Sequence, residues 1–189
     1  TVFRTEKGWD RKPIQELAVP NTVRTILKSR LSKLDPETLN VLVLASVIGS
    51  EFDFEVLKEV TQTDEDKLLE RLETALASGL VREPSQRGAF RFVDNRIREL
   101  MLDDLSKIRR AKYHEKIAEA MEKVYAKSLD RHAELIASHA YEAGDAERAT
   151  RFLIIAGDGN RAIHAYEQAV NDYKRAIDLI SLEGARGQG

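Results

Sequence analysis

Three consecutive stretches between residues 37 and 78 carry apolar residues at helical spacing, and they constrain the fold more than any other feature. Residues 37–48 are apolar nearly all round, which predicts a helix buried at the centre of the core. A short stretch around Val56 to Val60 and a longer one over 64–78 each place their apolar residues on one face. Another helix of this kind is predicted directly after Pro20.

Cap residues mark where these helices begin and end. Asp35 is a good N-cap and Pro36 suits the first helical position, while Gly49 is a typical helix end. Thr63 and Asp66 have the spacing of a capping box, which predicts the start of the third helix.

A predicted β-hairpin follows the third helix. Residues 80–83 and 89–93 have strand composition, and residues 84–88 read as the turn between them. Three helices followed by a hairpin is the order of a winged helix-turn-helix, which we predict over 35–105.

The last third of the chain carries small residues at the spacing of packed helix pairs. An Ala, a larger residue four positions on and an Ala three further is the second-helix signature of a tetratricopeptide repeat. The two matches are Ala149, Leu153 and Ala156, and Ala169, Tyr173 and Ala176. The predicted fold is therefore mostly α: a winged helix, then a tetratricopeptide-like array over 131–182, with about one and a half repeat units.

The remaining segments receive simpler predictions. Residues 1–34 are a tail and a helix, 106–130 a linking helix with His114 on its apolar face, and 183–189 a disordered tail. Residues 157–161 contain two glycines and are predicted to form a helix irregularity or a turn.

Motifs for catalysis or metal binding are missing from the sequence. No cysteine is present, which excludes disulfides, thiolate zinc sites and thiol catalysis. No phosphate-binding loop and no H-E-x-x-H motif occur. His132 and His139 are seven residues apart, but two ligands do not make a usual zinc site, so helix contacts are the better interpretation. We expect no enzyme activity, no metal site and no cofactor in this chain.

The charge distribution argues against DNA as the partner. The net charge is -2 overall, but residues 35–105 carry -8 and residues 1–34 carry +5. The third helix, which would enter the major groove, is rich in Asp and Glu and would repel phosphates. The cations that could still contact phosphates are Arg82, Arg87, Arg91, Arg96 and Arg98. No apolar run approaches the roughly 20 residues of a membrane span, so no membrane contact is expected. No signal peptide opens the sequence, so a cytoplasmic protein is expected.

The order and spacing of several short motifs resemble a known family. The motifs are Val19-Pro20-Asn21-Thr22-Val23, Arg30-Leu31-Ser32-Lys33-Leu34, Gly49-Ser50-Glu51-Phe52, Ile97-Arg98-Glu99, Arg110 with His114, and His139-Ala140-Tyr141-Glu142-Ala143-Gly144-Asp145. Together they resemble the region downstream of the ATPase module in STAND-type (AAA/NB-ARC-related) signalling ATPases and transcription activators. The match covers roughly residues 17–181.

This resemblance implies a regulatory role. The chain, which begins at Thr1 rather than Met, would be part of a longer protein whose N-terminal ATPase module binds ATP or ADP. It would couple nucleotide state to binding of a protein partner or to self-association. Tyr141, Tyr166 and Tyr173 are the candidates for partner contact.

One motif departs from the family pattern. Family members commonly have F-x-H, whereas this chain has Phe92-Val93-Asp94. In related switches a winged-helix histidine senses the bound diphosphate, a role that a carboxylate at Asp94 would oppose. Asp94 and Arg98 are the candidate nucleotide-sensing residues: either sensing uses a group other than histidine, such as Arg98, or the motif is only structural here.

Two alternatives stay open at this point. The chain could be a stand-alone winged-helix transcription regulator that binds DNA and carries a tetratricopeptide-like partner-binding part, or it could be a passive scaffold.

Overall fold

The computed structural model describes the backbone of residues 2–5, 8–11, 21–84 and 88–186, and the side chains of residues 24–84 and 88–182. These residues are mostly helical, as predicted. The helices are α1 (Asn21–Leu31), α2 (Pro36–Ile48), α3 (Phe54–Thr61), α4 (Glu65–Ala77), α5 (Asn95–Asp103), α6 (Lys107–Val124), α7 (Leu129–Ala143), α8 (Ala146–Ala162) and α9 (Tyr166–Arg186). The strands are β1 (Val2–Thr5), β2 (Gly8–Arg11), β3 (Glu51–Asp53), β4 (Val81–Arg82) and β5 (Ala89–Phe92).

The predicted N-terminal tail contains a pair of strands. β1 and β2 pair antiparallel, with Thr5 opposite Gly8 and Arg4 opposite Trp9. Val, Phe and Trp favour extended backbone, which accounts for strands here. The rest of the predicted tail, residues 12–20, lies outside the described residues.

Helix α2 is the centre of the N-terminal half. Asp35 accepts hydrogen bonds from the backbone N–H groups of Glu37 and Thr38, as its predicted cap role requires. Leu42 and Ala45 are fully buried, and α2 contacts α3, α4, α5 and α6. The nearly continuous apolar sequence of this helix is explained by neighbours on several sides.

A three-stranded antiparallel sheet closes this half, in the order β3-β5-β4. The predicted hairpin is present as β4 and β5, but β3 was not predicted because it is only three residues long. Its Phe52 lies opposite Phe90, and the two rings stack with centroids 5.8 Å apart. These rings anchor the sheet on the core.

The cap of α4 corrects one prediction. Asp64, not Thr63, is the N-cap, and its carboxylate accepts from the Lys67 backbone N–H. Thr63 instead donates to the Thr61 carbonyl. The capping-box assignment was wrong by one residue because two consecutive residues can both serve as caps.

Helices α6 to α9 pack consecutively, each against the next. Residues 157–161 lie within α8, so the predicted turn or irregularity there is wrong. Gly157 is buried, and a Cβ at this position would lie 2.5 Å from the Tyr173 ring. The glycine therefore permits the close approach of α8 and α9 instead of ending the helix.

Two further boundaries differ from the predictions. The predicted boundary between residues 130 and 131 falls in the first turn of α7. Helix α9 continues to Arg186, so the predicted disordered tail is helical over 183–186, since one glycine among helix-forming residues does not stop a helix. Residues 187–189 lie outside the described residues.

One core runs through both halves. The buried apolar cluster extends from Leu27 in α1 to Ala176 in α9, and α6 contacts α2, α3 and α7. Within the described residues, none of the helices has both the length and the apolar character needed to cross a membrane.

Candidate functional site at the C-terminal end of helix α2

Asp94 and Arg98, the predicted sensing candidates, lie on one helix but have separate roles. Asp94 is the N-cap of α5 and accepts from the Arg96 backbone N–H at 2.9 Å. The Arg96 guanidinium also bonds both carboxylate oxygens, and this pairing lowers the pKa of Asp94. The Asp94 carboxylate is thus held at the start of the helix.

Arg98 joins α5 to the end of α2. Its Nε donates to the Ser46 carbonyl oxygen at 2.7 Å. Ser46 belongs to the last turn of α2, whose carbonyls lack intrahelical partners. A cation there is also favoured by the helix dipole. Burial, with a contribution from the nearby Arg110, lowers the pKa of the half-buried Arg98.

A pair of buried histidines lies beside this contact. His114 of α6 and His139 of α7 are only 6% and 4% exposed. Their Nδ1 atoms are 2.8 Å apart, so the rings share one hydrogen bond. The sequence predicted the buried face of His114 and a helix contact for His139. It did not predict the pair, because the two residues are 25 positions apart.

The neighbours of the two rings assign their tautomers. The Nε of Arg110 donates to His114 Nε2 at 3.5 Å, so that nitrogen carries the lone pair. The His114 proton is then on Nδ1 and is donated to His139 Nδ1. The His139 proton is then on Nε2, and the Ile48 backbone lies near enough to this ring to raise its pKa. We call this chain of contacts from Arg110 to Ile48 the histidine relay.

Both rings are held neutral by their surroundings. Burial is the main cause that lowers the pKa of His139 to about 3, helped by His114 and Arg98. Burial also lowers the pKa of His114, with Glu142 opposing and Arg110 adding to the effect. Two neutral imidazoles can form the relay with these tautomers. In a protonated ring, the added N–H group would face the N–H group of its neighbour in the relay.

The C-terminal end of α2 is therefore held by two side chains from different helices. Arg98 of α5 bonds the Ser46 carbonyl, and His139 of α7 lies near the Ile48 backbone. Together with the ion pair between Lys123 of α6 and Glu59 of α3, these contacts join the N-terminal half to the later helices through polar groups, so a displacement of either half would change them.

The other histidine considered as a metal ligand lies elsewhere. The His132 ring stacks on Tyr125, with centroids 3.6 Å apart and planes 10° apart. Within the described residues, no group of three or more acidic or histidine side chains is arranged to hold a metal ion.

The three predicted partner-binding tyrosines do not form one site. Tyr141 and Tyr166 are exposed. The Tyr173 ring packs on Gly157, and its hydroxyl donates to Asp158 at 2.8 Å, so this side chain holds α8 and α9 together. Tyr141 lines a cavity of about 340 Å³ between α7 and α9, whose floor is Leu153 of α8.

A second apolar stripe on α9 was missed in the sequence. The residues at four- and three-residue spacing are Tyr166, Val170, Tyr173, Ile177 and Ile180. All but Tyr173 are between 50 and 61% exposed. We call these five residues the α9 seam. The spacing was visible in the sequence. The adjacent residues Ala169 and Ala176 already predicted a packed helix, however, so the second stripe was overlooked.

The surface of α4 is acidic, as its composition implied. The acidic residues Asp64, Glu65, Asp66, Glu70 and Glu73 are all exposed. Arg71, one of two cations in this segment, forms an ion pair with Glu37.

The chain was compared with family models, with curated proteins and with solved structures, and none of them matches it.

Proposed function

We propose that this chain is a non-catalytic regulatory and protein-interaction region of a STAND-type signalling ATPase. In this proposal it couples the nucleotide state of an ATPase module, encoded upstream of residue 1, to partner binding or oligomerisation. ATP or ADP would be held by that module, and this chain would transmit the change.

The order of elements in residues 36–92 supports a winged helix. Helices α2, α3 and α4 precede the β4–β5 hairpin, and β3 between α2 and α3 completes a three-stranded sheet. The buried aromatic residues of the sheet pack into the same core as the helices.

The packing of α7, α8 and α9 supports a tetratricopeptide-like array. Residues 144–145 and 163–165 are the only connections, and such short connections place consecutive helices antiparallel. Ala149 and Ala156 of α8 and Ala169 and Ala176 of α9 are buried at the predicted contact positions.

The contacts at the end of α2 carry the proposal. Arg98 of α5 holds the last turn of α2 within the predicted winged helix, and His139 of α7 lies beside the Ile48 backbone, so the predicted array meets the predicted winged helix at this end of α2. Where two packed parts meet in this way, a displacement of one part can be transmitted to a distant surface of the other.

The α9 seam is the surface we propose for oligomerisation. A stripe with alternating four- and three-residue spacing pairs with another helix through knobs-into-holes packing. A second copy supplies a helix with the matching spacing, namely its own α9. We therefore propose α9 of a second copy as the occupant.

DNA binding is the weaker alternative. The exposed surface of α4 is net negative, and a duplex carries one phosphate charge per roughly 1.7 Å of axis. Titration with mixed short duplexes at low salt would reveal any affinity. Micromolar binding with a steep salt dependence would favour a transcription regulator over the proposed switch.

The coding sequence upstream of Thr1 tests the proposal directly. A phosphate-binding loop of the G-x-x-x-x-G-K-[ST] kind within roughly 300 residues, a length of one or two domains, is the expected result. A start codon immediately before Thr1 would overturn the ATPase assignment and leave a free-standing adaptor or regulator.

A further inference from the structure

We propose that the histidine relay is a proton-linked latch between α6, α7 and the end of α2. The closed latch holds both rings neutral, and its opening takes up protons on His114 and His139. The inference concerns the contacts of this chain and does not depend on the ATPase assignment.

The geometry leaves no place for an extra proton in the closed state. Three of the four ring nitrogens have a hydrogen-bond partner, namely Arg110 and His139 for His114 and His114 for His139, and the Ile48 backbone lies near His139. A proton added to His139 Nδ1 would face the N–H of His114 across 2.8 Å. A proton added to His114 Nε2 would face the N–H of Arg110.

The surrounding charges act differently on the two rings. The ionisable groups that act on the rings are Arg98 from α5, Arg110 from α6 and Glu142 from α7, while α2 contributes the Ile48 backbone. Arg98 lowers the pKa of His139, whereas for His114 the opposing effect of Glu142 is larger than that of Arg110 or Arg98 taken singly. Glu142 is exposed, so solvent screens its opposing effect.

Linkage sets the direction of the pH effect. The pKa of each ring is lowered in the closed state and returns to about 6.5 when the ring is exposed. Above that value opening takes up no proton, and the stabilisation by the neutral relay is complete. As pH falls below about 6.5, the open state binds protons that the closed state does not. The closed state is therefore progressively destabilised relative to the open state, until the pH reaches the lowered pKa of the closed state.

The size of the effect follows from the same relation. Between roughly pH 7.5 and pH 5.5, exposure of one histidine favours opening by about tenfold. His139 should contribute this factor, and His114 up to the same factor. The opening equilibrium should therefore rise by up to about a hundredfold.

Hydrogen exchange of the full chain at these two pH values tests the latch. After correction for the intrinsic exchange rate, amides of α6 and α7 around the two rings should lose between ten- and a hundredfold protection at the lower pH.

His139→Gln removes one of the two titrating rings, so the loss should fall to about tenfold or less. His164→Asn changes an exposed histidine with φ of 66°, a conformation that Asn tolerates, and should keep the wild-type dependence. Protection in α6 and α7 that does not change with pH would overturn the proposal.

A measurement on the wild type covers the case in which His139→Gln does not fold. Imidazole nitrogen resonances should show His114 as the Nδ1–H tautomer and His139 as the Nε2–H tautomer. His139 should stay neutral down to about pH 5, because its closed-state pKa is about 3. Titration of His139 near its ordinary pKa of about 6.5 in the folded protein would contradict the latch.

Discussion

At the scale of single residues, the contacts of Gly157 and Arg98 have consequences that their residue types do not suggest. Glycine usually destabilises a helix interior by about 0.5–1 kcal/mol relative to alanine. Here it is the contact surface for the Tyr173 ring. Arginine is usually a solvated surface residue, yet Arg98 bonds a main-chain carbonyl at a helix end.

Gly157→Ala should destabilise the protein although alanine is the better helix former. The new Cβ would lie 2.5 Å from Tyr173, whose hydroxyl is held by Asp158. We expect a loss of about 1–3 kcal/mol in the free energy of unfolding, measured by urea titration. Gly159→Ala is the matched control, since its Cβ would meet Asp130 at 3.5 Å, an ordinary contact. Equal changes in the free energy of unfolding for the two variants would show that the Tyr173 contact does not require glycine at position 157.

Arg98→Ala should remove a bond that holds the C-terminal end of α2. The loss of a charged donor from the Ser46 carbonyl should cost about 1–3 kcal/mol in the free energy of unfolding. Arg109→Ala, at an exposed position on α6, should change stability by less than about 0.5 kcal/mol. Similar values for both variants in urea unfolding would argue against a special role for Arg98.

At the scale of elements, α9 has two apolar stripes, and within the described residues the α9 seam is used only through Tyr173, which packs on α8. Ala169 and Ala176 face α8, whereas Ile177 and Ile180 of the α9 seam stay exposed. A helix that leaves an apolar stripe exposed can bind a second helix. This is why oligomerisation is assigned to α9 and not to Tyr141.

Ile177→Glu should abolish self-association without destabilising the fold. Ile177 is 61% exposed, so its replacement should change the free energy of unfolding by less than about 0.5 kcal/mol. Sedimentation velocity over a concentration series should show association of the wild type and a monomer for the variant.

Ile108→Glu is the control for this experiment, because Ile108 is 80% exposed on α6, outside the seam. It should associate like the wild type. A wild type that stays monomeric at every concentration would rule out a second copy as the occupant. A helix of a different protein would then be the remaining candidate for the seam.

At the scale of the whole molecule, the two predicted parts share one core. Buried side chains form a continuous cluster from α1 to α9, and α6 connects the halves through contacts with α2, α3 and α7. Two independent domains would instead meet through a smaller and more polar interface.

Leu42→Ala should therefore weaken helices at the far end of the chain. Leu42 is fully buried in α2, and its truncation should cost about 2–5 kcal/mol in the free energy of unfolding. With a shared core, hydrogen exchange should show reduced protection of the slowest amides in α8 as well as in α2. Unchanged protection in α8 would mean that the halves unfold independently.

The sequence by itself determined the helical elements and the faces they bury. Periodicity and caps are local, so the apolar stripe of α2, its Asp35 cap and the β4–β5 hairpin could be predicted from neighbouring residues. The same local signals misplaced the α4 cap and interpreted Gly157 as a possible turn. Glycine has a local preference that packing against a distant ring can override.

The histidine relay was decided only by the tertiary structure. His114 and His139 meet because α6 and α7 fold back on each other, and Arg98 reaches Ser46 across 52 residues. No spacing rule links residues so far apart along the chain. Burial in a shared core also sets the protonation state of the two rings, and burial depends on all the helices that surround them.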